Sequence, residues 1–452
     1  MFERLRNVFY RLLENELIRR IVKNAGYLFS ATGISAAMSM FQSILAGRML
    51  GPANFGILGT ITTFTSVVNR FASFRMNELV VRYVGNYQEK QDYKRAAAVF
   101  KTASLLEILG SLVAFLLIWL LAPIGSRIFT HQENLARWFV LYGSIVLVNM
   151  IYESATGLLQ IFDRFRTIAM ITAIQSTTTL LLIIVIYIFH PEQSLTYIIL
   201  AYMSGKIVGA LSVTFSALLQ ATKAWGRSWW KTPLGLLRSE RRSLLTFAFS
   251  TNISSTVSLI AKDSDVLWVS SFLGTTAAGY YKVAIAISNL LQLPISPLPK
   301  ATYPELTREI ARRNWTNVRY ILKQGSRLAG LYSLPMSAGL LIFGKWIITI
   351  LYGGVFIPAY APLMLLLIGF TFANIFYWNR VALLALARPV FPTIINFSGM
   401  IMKVAIILMF SKFLSPLFFA GLLSGYYLYT VGIAVMRVFS DVKRRDTSPD
   451  VI

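Results

Sequence analysis

The chain contains no cysteine. Disulfides, thiolate metal sites and cysteine nucleophiles are therefore excluded, although this says little about compartment. Histidine is nearly as scarce: His131 and His190 are the only two, far apart in segments expected to be outer loops. No histidine metal site or catalytic dyad is expected. Charge is also sparse, at 14% of residues, where soluble domains run near roughly a quarter. Carboxylates are the rarer sign, 19 Asp and Glu against 43 Lys and Arg. The sequence has no Walker A loop, HExxH, GxSxG or glycosidase-like carboxylate pair, so neither ATP hydrolysis nor enzyme activity is expected. No secretory signal is expected at the start either. Residues 1–24 are charged and amphipathic, and are expected to lie along the cytosolic membrane surface.

What the chain has in quantity is apolar surface: 56% hydrophobic residues and a mean hydropathy of +0.61. Twelve apolar segments stand out, at 26–48, 55–84, 96–122, 137–161, 167–189, 195–222, 243–273, 277–301, 322–351, 359–386, 390–411 and 414–438. Each is near the ~20 residues that a membrane span needs. The expected fold is therefore an all-α polytopic membrane protein. A short motif recurs between spans. Leu50-Gly51, four residues and Gly56 are matched 223 positions later by Leu273-Gly274, four residues and Gly279. A turn repeated at that offset points to a duplicated bundle, as in many transporters. The expected organisation is a six-helix lobe at 25–222, a basic cytosolic linker at 223–242, a second six-helix lobe at 243–440 and a cytosolic tail at 441–452.

The net charge of +24 has a topological explanation. With both termini in the cytosol, the inner loops carry Lys90, Lys94, Arg95, Arg164, Arg166, Lys223, Arg227, Lys231, Arg238, Arg241, Arg242, Arg308, Arg312, Arg313, Arg319, Lys323 and Arg388. The outer loops carry only Arg48, Arg127, Arg137 and Lys412. This positive-inside pattern accounts for most of the excess without a nucleic-acid partner. It fits a multi-pass protein of the cytoplasmic membrane. The tryptophans of the linker, Trp225, Trp229 and Trp230, suit a segment lying on an anionic leaflet.

LAGRMLGPANFGILGT (45–60) with ELVVRYVGNY (78–87), and DVLWVSSFLGTTAAGYYKVAIAISNLLQLPISPLP (265–299) with YPELTRE (303–309), resemble corresponding spans of polysaccharide-biosynthesis flippases. These form the polysaccharide transporter branch of the multidrug/oligosaccharidyl-lipid/polysaccharide exporter superfamily, and the resemblance extends over roughly 20–440. It implies two pseudo-symmetric lobes with alternating access and movement of a polyprenyl-diphosphate-linked oligosaccharide from the inner to the outer leaflet. Membrane lipids, a polysaccharide polymerase and chain-length machinery are the implied partners, and a monomer the implied working unit. Lipid II flippases of the same superfamily typically carry fourteen spans, which disfavours that assignment for twelve.

A diphosphate-sugar headgroup crosses hydrocarbon at lower cost when fixed cations meet its phosphates. Charged residues inside spans are therefore candidates. Arg70 and Arg75 lie in span two on a face shared with Ser66, Ser73, Asn77, Glu78 and Arg82. Arg70 has no carboxylate three or four residues away and is expected to contact phosphate; Glu78 and Arg82 fit an interfacial ladder. Asn149, Glu153, Thr156 and Gln160 form one polar stripe if span four is a single helix, with sugar contact expected. Lys206, Arg380 (beside Asn379 and Asn374) and Lys403 complete the substrate-binding set.

Three residues are candidates for a gate or for coupling to Na+ or H+; no other cofactor and no resident metal is expected. Glu107 stands without a local cation, so it is a coupling candidate or the maker of an interhelical hydrogen bond. Lys262 and Asp265 are spaced to pair with each other, and the resemblance expects an acid at 265; its first-half counterpart is Gln42. Pro294, Pro297 and Pro299 interrupt span eight and are expected to form a hinge. Three other functions compete. A multidrug extruder prefers an acidic, aromatic cavity, against the cations here. A membrane polymerase or ligase needs a long outer loop, and the longest, 123–136, is short and chemically thin. A non-transporting scaffold has no use for intramembrane charge.

Overall fold

The computed structural model describes residues 16–72, 76–189, 194–238, 240, 242, 244, 246, 256–257 and 259–447. Among these the chain is helical throughout and has no strand. In hydrocarbon a helix satisfies its backbone groups within its own segment, which is why apolar runs of this length take that form. Eight described segments are long and apolar enough to cross a membrane: Tyr93–Thr130, Glu133–Ile161, Phe165–Phe189, Leu195–Trp225, Trp315–Tyr352, Gly354–Ala385, Val390–Met409 and Pro416–Thr447. The chain is a polytopic all-α membrane protein.

Contacts divide it into two compact units. The first is Ala37–Ala278; the second is Gly279–Ile452 with the chain up to Ala36. In chain order the helices are α1 (Glu16–Ala72), α2 (Met76–Glu89), α3 (Tyr93–Thr130), α4 (Ala136–Gly143), α5 (Ile145–Val148), α6 (Tyr152–Ile161), α7 (Phe165–Phe189) and α8 (Ser194–Trp225). A π-helical turn at Leu259–Asp263 then leads to α9 (Asp265–Gln292). There follow α10 (Leu298–Ala311), α11 (Trp315–Tyr352), α12 (Tyr360–Ile375), α13 (Asn379–Ala385), α14 (Val390–Met409) and α15 (Pro416–Thr447).

The repeated motif is visible in the backbone. Within α1 the one non-helical residue is Gly51, at φ 65 and ψ 177. Within α9 it is Gly274, at φ 83 and ψ 172. A residue with a Cβ is strained in that region, so both turns call for glycine. Each marks a kink at which two helical stretches follow one another without a loop. Interruptions recur too. Span eight breaks at 293–297, with Pro294 and Pro297 in the break and Pro299 in the first turn of α10. Span four breaks at 149–151 and span ten at 376–378, neither with a proline or glycine in the break.

The break in span four corrects one expectation. Asn149 lies in the turn before α6, whereas Glu153, Thr156 and Gln160 lie within it. The four do not share one continuous helix, because the periodicity argument assumed an unbroken span. The start of the linker is anchored by side-chain contacts. Trp225 and Trp229 pack on Phe100 with ring centroids 5.9 and 5.4 Å away. Trp225 Nε1 donates to Gln88 Oε1 at 3.1 Å, and Lys101 Nζ to the Thr232 carbonyl at 3.1 Å. Burial and a hydrogen bond to Glu240 push the Tyr87 hydroxyl up to about 12. Two of the three tryptophans thus dock on the first unit, and Trp230 alone of them is exposed.

Candidate functional site: a polar cavity in the first unit

The break at 149–151 leaves the first N–H groups of α6 without intrahelical partners. Buried among apolar helices, they need an acceptor from elsewhere. Glu107 on α3 supplies it. Its Oε1 accepts from the Glu153 N–H at 2.8 Å and its Oε2 from the Ser154 N–H at 2.9 Å. The carboxylate is 4% exposed. It caps a helix 46 residues downstream, and the positive end of the helix dipole favours its charge. Of the two sequence readings of Glu107, the interhelical hydrogen bond is present, with main chain as the partner.

The same break opens a cavity of about 300 Å³. Glu107 and Ser111 come from α3, and Asn149, Tyr152 and Glu153 from the break and the start of α6. Asn69 comes from α1, Gln175 from α7 and Lys206 from α8. The Lys206 ammonium also stands over the Tyr142 ring, 5.6 Å from its centroid. Asn149 Nδ2 donates back to the Ile145 carbonyl at 3.0 Å, while the buried Asn69 Oδ1 has no hydrogen-bond partner. Amides, a hydroxyl, a phenol, two acids and one lysine therefore face a shared space. This inventory can bind hydroxyl-rich or zwitterionic groups from several directions.

Two helices must approach closely for Gln175 to reach the cavity. Gly205 and Gly209, in the sequence Gly205-Lys206-Ile207-Val208-Gly209, make that possible. A Cβ at Gly205 would collide with the side chain of Thr179 and lie 2.9 Å from the Gln175 carbonyl oxygen; one at Gly209 would lie 2.8 Å from Gln175 Cδ. Small residues four apart are a recognised signature of close membrane-helix packing. That signal was readable in the sequence and went unused, so Gln175 was missed; Asn69, Ser111 and Tyr152 had no distinguishing local pattern.

The cavity gathers Glu107, Asn149, Glu153 and Lys206 from the expected set. Arg70 lies elsewhere in this unit. Its Nη1 bonds Asp263 Oδ2 at 2.9 Å beside Thr62 and Ser66, with both charged side chains about half exposed. The cation expected to be free of local carboxylates is therefore paired with one 193 residues away. Lys262 is half-buried within the π-helical turn, and Asp265 is fully buried at the start of α9. Thr60 Oγ1 donates to Ser270 Oγ at 2.9 Å, and Ser270 Oγ to the Phe129 carbonyl at 2.6 Å, tying α9 to α1 and α3. The buried Gln42 donates to the Ser176 carbonyl at 2.7 Å. Arg75 lies outside the described residues.

Arg380 and Lys403 belong to the second unit and line neither cavity of the first. Arg380 is exposed in the first turn of α13, and Lys403 is buried on α14. The neighbours expected to support Arg380 act structurally: Asn374 Nδ2 donates to the Leu291 carbonyl at 2.8 Å and Asn379 Nδ2 to the Phe376 carbonyl at 2.8 Å. Among the described residues no cluster of His, Asp or Glu could hold a metal ion.

A family model described as polysaccharide biosynthesis protein matches residues 21–309. The chain belongs to this family. It is 24% identical over 346 residues to the inner membrane protein YghQ of Escherichia coli K12, covering 76% of this chain and 95% of the relative. Among solved structures it resembles the lipid II flippase MurJ in an inward closed conformation, with a TM-score of 0.69, 16% identity and 93% and 90% of the two chains covered. It also resembles an inward-facing multidrug resistance MATE family transporter of the MOP superfamily, with a TM-score of 0.67, 14% identity and 92% and 95% covered. The polysaccharide branch of that superfamily, inferred from residues 45–60, 78–87 and 265–309, agrees with the family match and with the fold.

Proposed function

We propose that this protein moves a polyprenyl-diphosphate-linked saccharide across the cytoplasmic membrane, from inner to outer leaflet, by alternating access. The observation that carries the reading is the polar cavity around Glu107, Asn149, Glu153 and Lys206, within otherwise apolar helices, in a member of a polysaccharide biosynthesis family. The cavity suits saccharide hydroxyls better than phosphate, because two acids accompany its one lysine. A transporter role without catalysis agrees with this inventory.

Coupling to Na+ or H+ belongs to the same reading. Glu107 already accepts two main-chain N–H groups, and a proton or cation would compete with both. Asp265, with Lys262 three residues before it, is the other coupling candidate. The prolines of span eight supply the hinge. Both termini lie in the cytosol on the charge pattern.

The deciding experiment concerns lipids in the source organism. The gene is deleted while the first sugar-transfer step is blocked, and synthesis is then restored. A membrane-impermeant sugar probe reports which leaflet holds the lipid-linked saccharide. Accumulation of a complete, shielded saccharide supports translocation, and its mass identifies the cargo. A normal rate of appearance in the outer leaflet, with no second flippase in that strain, overturns the reading.

A further inference from the structure

Helices α3 and α11 are both 38 residues long. Glu107 is the fifteenth residue of α3, and the fifteenth of α11 is Ala329, followed by Gly330. The second unit therefore has no acid where the first has its helix cap. It has a groove of about 500 Å³ instead. The walls are Leu331, Leu334 and Pro335 of α11 with Ile375 and Phe376 at the end of α12. Gly330 forms part of the wall, and a Cβ there would lie 3.9 Å from Ile375 Cγ1, so side-chain space remains open. The groove is apolar except at one end, where Ser326 and Arg327 stand.

The depth of that end is readable from charge. Between Arg327 and Lys345 there are 17 residues and no charge. At about 1.5 Å per residue this uncharged stretch is about 26 Å long, close to the roughly 30 Å of the hydrocarbon layer. Arg327 thus stands at the level of lipid phosphates, and the groove begins one helical turn deeper, at the level of the chains. The guanidinium is exposed and bonds Gln324 Oε1 at 3.3 Å, with no carboxylate partner among the described residues. Ser326 Oγ accepts from Trp378 Nε1 at 2.7 Å, which fixes the wall at the break in span ten.

We propose that this groove holds the isoprenoid end of a polyprenyl phosphate lipid, with Arg327 bonding its phosphate. The proposal rests on the reading above and adds where the lipid part of the cargo binds. One cation at phosphate depth beside one apolar channel fits a single chain with an anionic head. A two-chain phospholipid would have to leave one chain outside. An acid at the Ala329 position, as in the first unit, would repel that head.

The test uses the full chain in phosphatidylcholine nanodiscs with a diazirine-bearing polyprenyl monophosphate. After irradiation, labelled peptides should map to 326–335 and 375–376. Unlabelled polyprenyl monophosphate should compete, and phosphatidylglycerol should not. Arg327→Gln removes a charge-assisted contact and should lower labelling about tenfold. Gly330→Leu should block it by filling the groove. Should that variant fail to fold, Leu334→Trp, at an exposed position, narrows the same channel. Equal competition by phosphatidylglycerol, labelling elsewhere, or unchanged labelling of Arg327→Gln overturns the proposal. Failure here is separable from failure of the translocation reading. Saccharide that flips normally with no groove labelling sinks the groove alone; groove labelling with unchanged leaflet distribution on deletion sinks translocation alone.

Discussion

The two units share a device and fill it with opposite chemistry. Spans four and ten both break near their middle without proline or glycine in the break. In the first unit the freed helix start is capped by the buried Glu107 carboxylate. In the second, neutral groups hold the break: Trp378 Nε1 to Ser326 Oγ, Tyr377 and Thr302 hydroxyls 3.0 Å apart, and Asn374 to the Leu291 carbonyl. A broken helix in a membrane obliges the protein to satisfy the freed backbone. The acid-capped break borders a polar cavity; the other, whose main chain bonds itself through Tyr377 N–H to the Asn374 carbonyl at 3.2 Å and Asn379 N–H to the Phe376 carbonyl at 3.0 Å, borders an apolar groove. The two breaks are alike in the backbone and differ in the side chains around them.

The contrast can be broken most forcefully at Glu107. Glu107→Leu strands two buried N–H donors and should cost about 3 kcal/mol, read as a lowered unfolding midpoint of the purified protein. Glu107→Gln keeps one acceptor and should lose clearly less. If the two variants match wild type, the cap does not hold span four. Next in size is the close approach of α7 and α8. Gly209→Val drives side-chain atoms into Gln175 and should cost about 2 kcal/mol; an unchanged midpoint would mean that the helices separate freely. A smaller effect is expected from the second unit. Ser326→Ala removes one neutral acceptor from Trp378 and should cost about 1 kcal/mol, so a loss as large as that of Glu107→Leu would erase the distinction between the two breaks. The weakest is the Arg70–Asp263 pair, which is about half exposed. A double-mutant cycle should give a coupling of about 0.5 kcal/mol, and saccharide translocation is the more sensitive readout for Arg70→Ala.

Much of the architecture was legible. Apolar runs, positive loops and prolines are local properties, and a helix in lipid is the only open-chain solution available to such runs. The two repeat glycines were legible for the same reason, since a sharp kink of this kind demands a backbone conformation that other residues resist. Part of the site was legible too: Asn149, Glu153 and Lys206 were selected as polar groups in apolar helices, and they meet in one cavity. The argument that united Asn149 with Glu153 was a periodicity that the break interrupts. Asn-Met-Ile at 149–151 carries no breaking residue, so the interruption depends on Glu107 being there to receive the freed donors.

Sequence alone thus determined the class of the protein, its helical segments, its duplicated turn and its family, because each follows from local composition, short-range spacing or a recognisable string. Tertiary structure alone decided the partners of Glu107 and Arg70, 46 and 193 residues away, and the contents of the polar cavity and the apolar groove. Those contacts depend on how helices pack side by side, and no spacing along one helix encodes which neighbour it will meet.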